Sequence, residues 1–364
     1  MKYLWIFVML LLSSCTTNTL NPAQLPSQPL YVFAGERAVP GYGNAEITAV
    51  DRTTLQPIGT RSFVTSYIHA AIYDGQHIWF GYAGDNDVDM HKVAKLAPDF
   101  TSEQQFDTCV EPTSVHQDGD ALIILCTENG MIAKAMRINR TTGQIEAQTT
   151  MLTKWHDMFF YQSALFHGEL IIFGGGHWGD SSDLLGREMQ VRDPKTLALI
   201  REIQLPPTII GVEQFIIDGD TLYIPNLASK QAEQEGYPII DMFRYRAGDT
   251  TVEALPNIDR APLNGVIVDN DLYTLHNTWP NYGDKVRIYK TNLTTWAQTH
   301  WEYDSDIWNN INDIANIDGH IIIAKFESSD VKEQGLYELN PSTGALTQRS
   351  VIPGASLILD TQQP

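Results

Sequence analysis

His69, His177 and His276 supply imidazoles, and three of them converging would suit zinc or copper. No HxH or HExxH spacing ties any two of them together. Asp85, Asp87 and Asp89 alternate within the stretch GDNDVDMHK, as the first ligands of a calcium loop do. That loop's glycine at the sixth position and glutamate at the twelfth are missing, so calcium is a weak cofactor candidate and a solvated acidic loop explains the same residues. Proton transfer could fall to His177, Tyr161 and Glu213. A nucleophile is not signalled, because there is no GxSxG, and no dinucleotide or phosphate-loop glycine pattern appears either.

Other residues suit recognition. Trp178 and Asp180 sit beside His177 in GGGHWGDSSD, and Trp279 and Tyr282 sit beside His276 in HNTWPNYGDK. His156 and Asp157 precede Tyr161 in WHDMFFYQS; Tyr82, Lys325 and Glu327 stand in comparable places elsewhere. Aromatic rings beside hydrogen-bonding groups fit a sugar ring or a peptide. Packing of neighbouring elements accounts for each tryptophan taken alone. All these residues are scattered from position 69 to position 327, so only an architecture with one common mouth could assemble them.

Bulk properties narrow the partner. The chain has 364 residues, 43% hydrophobic and 19% charged, with a net charge of −20. That composition supports a sizeable core and little disorder. Phosphate backbones would be repelled and no basic stripe compensates, which excludes nucleic acid as a natural partner. Long anionic polysaccharides meet the same field.

The chain opens with MKYLWIFVMLLLSSC, in which Lys2 is the only charge. The apolar run over 3–12 is too short for a membrane-spanning helix and suits a signal-peptide core. Leu12-Ser13-Ser14-Cys15 resembles a bacterial lipobox. The resemblance implies cleavage before Cys15 and acylation there with a palmitate-type chain. Thr16 after the cysteine implies, by the sorting rule of that class, the outer membrane of a Gram-negative cell, facing the periplasm or the surface. Residues 1–14 are then signal peptide and 15–29 a flexible polar tether. Two cysteines remain. Cys109 lies nine residues before Asp118 and Cys126 seven after Gly119, so a hairpin folded at that turn brings them together. A disulfide is expected, since exported proteins keep them.

The element that would position the scattered residues is a repeat. AIYDGQHIWFGYAG, SVHQDGDALIILC, SALFHGELIIFGG and QFIIDGDTLYIPN each place a tight turn between apolar runs, a strong hairpin signal. The turns fall at Asp74, Asp118, His167, Asp218, Asp269 and Asp318, with gaps of 44, 49, 51, 51 and 49 residues. A second hairpin phrase follows each, as in AVDRTTLQPIG, RINRTTGQIEAQ and VRDPKTLALIRE. Two hairpins per period make a four-stranded sheet, and sheets at this period build a β-propeller. LYVFAG at 30–35 reads as a second strand without its first, and ASLILD at 355–360 as a first strand without its second. Joined, they complete a seventh blade and hide an edge. The expected fold is all-β: a seven-bladed β-propeller over 30–360, closed by those two strands, with 361–364 as a tail. Kelch and WD signatures are absent as a series. The pattern resembles, in architecture only, the seven-bladed superfamily of quinoprotein-like and YncE-like proteins. That resemblance implies no specific function, and redox chemistry with a quinone has no further support.

Aligning the first strands on their turns places His69, Thr113, Gln162, Glu213, Asn264, Asp313 and Ala355 five residues before the turn. Two residues further along stand Ala71, Val115, Ala164, Phe215, Val266, Ala315 and Leu357. Five residues of strand cover about 17 Å. A polar ring above an apolar throat follows, and with it a binding funnel of His69, Tyr82, Gln162, Glu213, Asn264, Asp313, His177, Trp178, His276, Trp279 and Lys325. Strand ends reaching water would look the same. The expected role is a lipid-anchored binding module for a periplasmic or surface protein, or a neutral glycan. The competing class is a carbohydrate-active lyase or hydrolase using His177, Tyr161 and Glu213 at the same mouth. Propeller polysaccharide lyases resemble this in using His, Tyr and Arg, although only Arg37 and Arg187 are well placed here.

Overall fold

A computed structural model describes the chain except for residues 1–19, 21–24, 27, 36–44, 64–67, 69, 83–90, 129–131, 151–159, 176–187, 207–208, 210–211, 213, 227–239, 256–261, 277–284, 305–310, 327–329 and 363–364, and the side chains at 127–128, 132–133, 160–161, 175 and 188. Seven antiparallel sheets of four strands make up the fold. Blade one joins Ala355–Asp360 to Leu30–Ala34, Ala45–Val50 and Pro57–Phe63. Blades two to seven follow in chain order over 71–107, 112–150, 160–203, 216–254, 264–304 and 311–351. The closing pair runs from Leu30 opposite Asp360 to Ala34 opposite Ala355, so the last strand of the chain is the innermost strand of the first blade.

The turns between first and second strands come in two kinds. At His167-Gly168, Asp269-Asn270 and Asp318-Gly319 both residues have positive φ, the type I′ geometry that matches strand twist. In blades three and five only the glycine does, at 59° for Gly119 and 56° for Gly219. There the Asp is the last residue of the strand, paired as Asp118 with Ala121 and Asp218 with Thr221. In blade two, Asp74 instead accepts from the backbone of Gln76 at 2.9 Å and of His77 at 2.7 Å, and from Trp79 Nε1 at 2.8 Å.

Third and fourth strands are joined by a recurrent capped turn. Asp51, Asn139, Asp193, Asn292 and Asn340 each accept from the two backbone N–H groups two and three residues on. The fifth residue of each such turn has positive φ. Where it is Leu55, Leu197 or Trp296, its side chain packs into the preceding blade. Where it is Gly143 or Gly344, the preceding blade sends an aromatic over it. A Cβ on Gly143 would lie 2.3 Å from Phe106, and one on Gly344 would lie 2.0 Å from Trp301. Each of these five inter-blade gaps is filled once, from one side or the other, which is how dense packing is kept around the ring.

The seam between blades seven and one carries extra fastening. Arg52 donates from Nε and Nη2 to Asp318 at 2.7 and 3.0 Å, and from Nη2 to Asp360 at 3.1 Å, with a further short contact from Nη1 to Asp360. Burial alone would lower the Arg52 pKa, but the two carboxylates outweigh it and raise it. Arg140, at the equivalent place in blade three, reaches back to Asp74 of blade two at 3.2 Å. Cys109 and Cys126 are bonded, with a Cα separation of 5.8 Å. Closing that 17-residue separation stabilises the fold by about 3 kcal/mol.

Within the segment read as a tether, Leu20 is buried and Leu25 packs against the core of blades one and two. The Leu20 N–H donates to Asp99 O at 3.0 Å, and a Cβ on Gly59 would lie 2.1 Å from Leu20 Cδ2. Thr361 Oγ1 donates to Pro29 O at 2.9 Å. Among the described residues no helix is long and apolar enough to cross a membrane.

Candidate functional site

The two faces of the ring differ in what connects the strands. Turns joining first to second and third to fourth strands hold two to six residues. Connections on the opposite face include 35–44, 82–91, 176–187, 226–241 and 204–215. Long connections on a rigid scaffold are where binding residues concentrate. Strand ends on this face carry much of the expected funnel.

Asp313 and Asn264 meet there. Asn264 Nδ2 donates to Asp313 Oδ1 at 2.7 Å, and the Ile314 backbone N–H reaches the same oxygen at 2.9 Å. Asp313 Oδ2 accepts from the backbone N–H of Ile358 at 2.7 Å. One carboxylate thus links the inner strands of blades six, seven and one. Burial raises its pKa to about 6, against the lowering effect of those three hydrogen bonds. Asn264 is spent as well, since its Oδ1 accepts from Gly265 N.

Other expected funnel residues lie inside the blades. Tyr82 is buried between blades one and two; its hydroxyl donates to Glu103 Oε1 at 2.6 Å. Burial and that carboxylate raise its pKa. His276 is buried, shares a 2.8 Å hydrogen bond with Thr274 Oγ1, and packs on Tyr289 with ring centroids 4.6 Å apart. Lys325 has no exposed side-chain surface; its Nζ lies 3.5 Å from Glu333 Oε2 and 5.8 Å from the Tyr337 ring centroid. Burial lowers the Lys325 pKa and Glu333 opposes the shift. Gln162 is half-buried in the inner strand of blade four, and the backbone of Tyr161 pairs with Gly174 beside it. Thr113 donates to Leu125 O at 3.2 Å, and Ala355 is buried against Ala34. His69, Glu213, His177, Trp178, Trp279, Cys15, Asp85, Asp87, Asp89, Arg37, Arg187, His156, Asp157, Asp180, Tyr282 and Glu327 lie outside the described residues. No cluster of three or more His, Cys, Asp or Glu that could hold a metal occurs among the described residues.

Counting from the ladders changes the ring. Phe166, Val268 and Ile317 are the last paired residues of their strands, as Asp118 and Asp218 are of theirs. Four residues back, Ser114 and Gln214 fall level with Gln162, Asn264 and Asp313. Thr113 is therefore one residue out of step, and one step along a strand reverses the side chain. Ser114 Oγ and Gln214 Oε1 are both buried without a hydrogen-bond partner among the described residues. Sequence alignment on the Asp-Gly pair missed this, although DGDALII and DGDTLYI already differ from DGHIIIA in where the strand resumes. It also missed His116, whose Nε2 lies 2.8 Å from Ser163 Oγ across the boundary of blades three and four. Burial lowers the His116 pKa to about 4, so the ring is neutral at physiological pH.

No protein-family model matches the chain. No curated protein matches it by sequence. Solved structures do match in fold. A Bacteroides fragilis protein described as a candidate 6-phosphogluconolactonase superposes with a TM-score of 0.62 at 12% identity, covering 93% of this chain and 99% of that one. The periplasmic gluconolactonase of Pseudomonas aeruginosa gives 0.62 at 14%, covering 91% and 98%. BamB from Moraxella catarrhalis gives 0.51 at 13%, covering 92% and 90%. At these identities the likeness concerns the seven-bladed architecture alone.

Proposed function

We propose that this chain is a lipid-anchored outer-membrane β-propeller that binds a periplasmic or surface protein, or a neutral glycan, through the face carrying its long connections. The observation behind this reading is the contrast between faces: short capped turns on one, and connections of up to 16 residues, at 226–241, on the other. Lys325, His276, Asn264 and Asp313 at the strand ends of that second face are held in internal contacts, which suits a rigid platform for recognition loops. Anchorage rests on the Cys15 sequence and binding on the residues around His177, Trp178 and Trp279. The net charge of −20 favours neutral or basic partners. The competing reading places a carbohydrate-active enzyme, including a sugar lactonase, at the same mouth.

The test uses a photoreactive residue at exposed Asn312, on the inner strand of blade seven, against one at exposed Asn270 on the turn face. Adducts to a defined protein or glycan from position 312 and none from 270 are expected. The reverse pattern overturns the reading. The pair His177→Ala with Tyr161→Phe separates the classes: loss of turnover on sugar substrates with binding retained would establish the enzyme.

A further inference from the structure

Leu20 is the earliest described residue, and its surroundings are built for it. Its side chain is 6% exposed, seated against Gly59 on the outer strand of blade one. Gly59 has no positive φ, so its lack of a side chain serves space; any Cβ there would collide with Leu20 Cδ2 at 2.1 Å. The Leu20 backbone is tied to Asp99, in the turn between the third and fourth strands of blade two. Leu25 and Ile58 pack beside it in the same apolar cluster. Gly59 follows the corresponding turn of blade one, so the slot lies on the outer rim, toward the turn face.

We propose that this slot makes Leu20 a hook that fixes how the protein stands on its membrane, with the turn-face rim of blades one and two against the lipid surface. The inference rests on the reading of Cys15 as the lipidated residue. An unattached tether from Cys15 to Leu30 has fifteen residue steps, a reach of about 54 Å at full extension. Hooked at Leu20, only five steps remain, a reach of about 18 Å. A domain of this size has a radius of gyration of about 20 Å, so the hooked leash is too short for the far face to turn toward the bilayer. The long connections of the opposite face then open to the aqueous side, where a partner can reach them.

The test uses the full lipoprotein in phosphatidylethanolamine–phosphatidylglycerol vesicles carrying a headgroup-labelled acceptor. A donor dye is placed at Thr101→Cys, on the exposed rim turn beside Asp99, or at Val331→Cys, which is 52% exposed on blade seven. Stronger energy transfer from position 101 than from 331 is expected, and Leu20→Asp should abolish the difference. Equal transfer from both sites, or a difference that survives Leu20→Asp, overturns the proposal. Because Leu20→Asp could disturb folding, hydrogen exchange of the Leu20 amide is measured in the soluble Cys15→Ser chain. Protection supports the hook, and free exchange overturns it without reference to any membrane. A chain that fails to associate with vesicles when Cys15 is intact, while its Leu20 amide stays protected, refutes the anchor reading and the orientation with it.

Discussion

Replacing Asp313 by Asn should remove a pH dependence that the seam builds into this fold. The Asp313 carboxylate is enclosed by the inner strands of three blades, and burial lifts its pKa to about 6 from an ordinary value of 3.8. A raised carboxyl pKa means that the folded chain holds the proton more tightly than the unfolded chain. The resulting stabilisation is complete below the unfolded pKa and is lost as pH rises through 6. A pKa difference of this size is worth about 3 kcal/mol in total, of which about 2 kcal/mol falls between pH 4 and pH 7. The replacement side chain cannot titrate, and its amide must also turn an N–H toward a backbone donor, since both native oxygens accept. That constant penalty, roughly 1–3 kcal/mol, cancels when the two proteins are compared across pH. Urea unfolding of both at pH 4, 5, 6 and 7 is the assay. The wild type should lose about 2 kcal/mol relative to Asp313→Asn on going from pH 4 to pH 7. A flat difference, or a wild type that gains on the variant as pH rises, would refute the assignment of Asp313 as a penalised buried charge.

Two further outcomes follow from inter-blade contacts. Gly344→Ala should cost about 3 kcal/mol in urea unfolding, because its Cβ collides with Trp301; in a Trp301→Ala background the same change should cost only the left-handed backbone term of about 1 kcal/mol. Strict additivity of the two would contradict the packing rule. Arg52→Ala should destabilise by about 3 kcal/mol by stranding the nearly buried Asp360 carboxylate, and Arg52→Lys should recover little, since one ammonium cannot grip both Asp318 and Asp360. Full recovery by lysine in the same unfolding assay would show that charge alone holds the seam.

The architecture was legible because it is written several times over. Turn phrases at a period near 50 residues, with half a phrase at each end, specify seven blades and the pairing of 355–360 with 30–35, and the Cys109–Cys126 bond follows from the same hairpin arithmetic. The site was less legible, for physical reasons. Counting back from Asp-Gly assumes one turn geometry, whereas Gly119 and Gly219 take the first turn position and shift Ser114 and Gln214 into the ring level. A polar strand end does not reveal whether it faces a ligand or a neighbouring blade; His276 and Tyr82 turn out to be packed inside. Leu20 could not be distinguished from its polar neighbours as a docked residue without knowing that Gly59 lies opposite.

The closing pair also imposes an order in time. Blades two to seven are each built from one continuous stretch of chain, but blade one needs residues 30–63 and 355–360 together. Until residues 355–360 arrive, Leu30–Ala34 offers an unsatisfied edge of five buried residues, LYVFA, to anything that can pair with it. The blade that opens the domain is thus the last that can be completed, because its sheet needs the two ends of the propeller segment to meet.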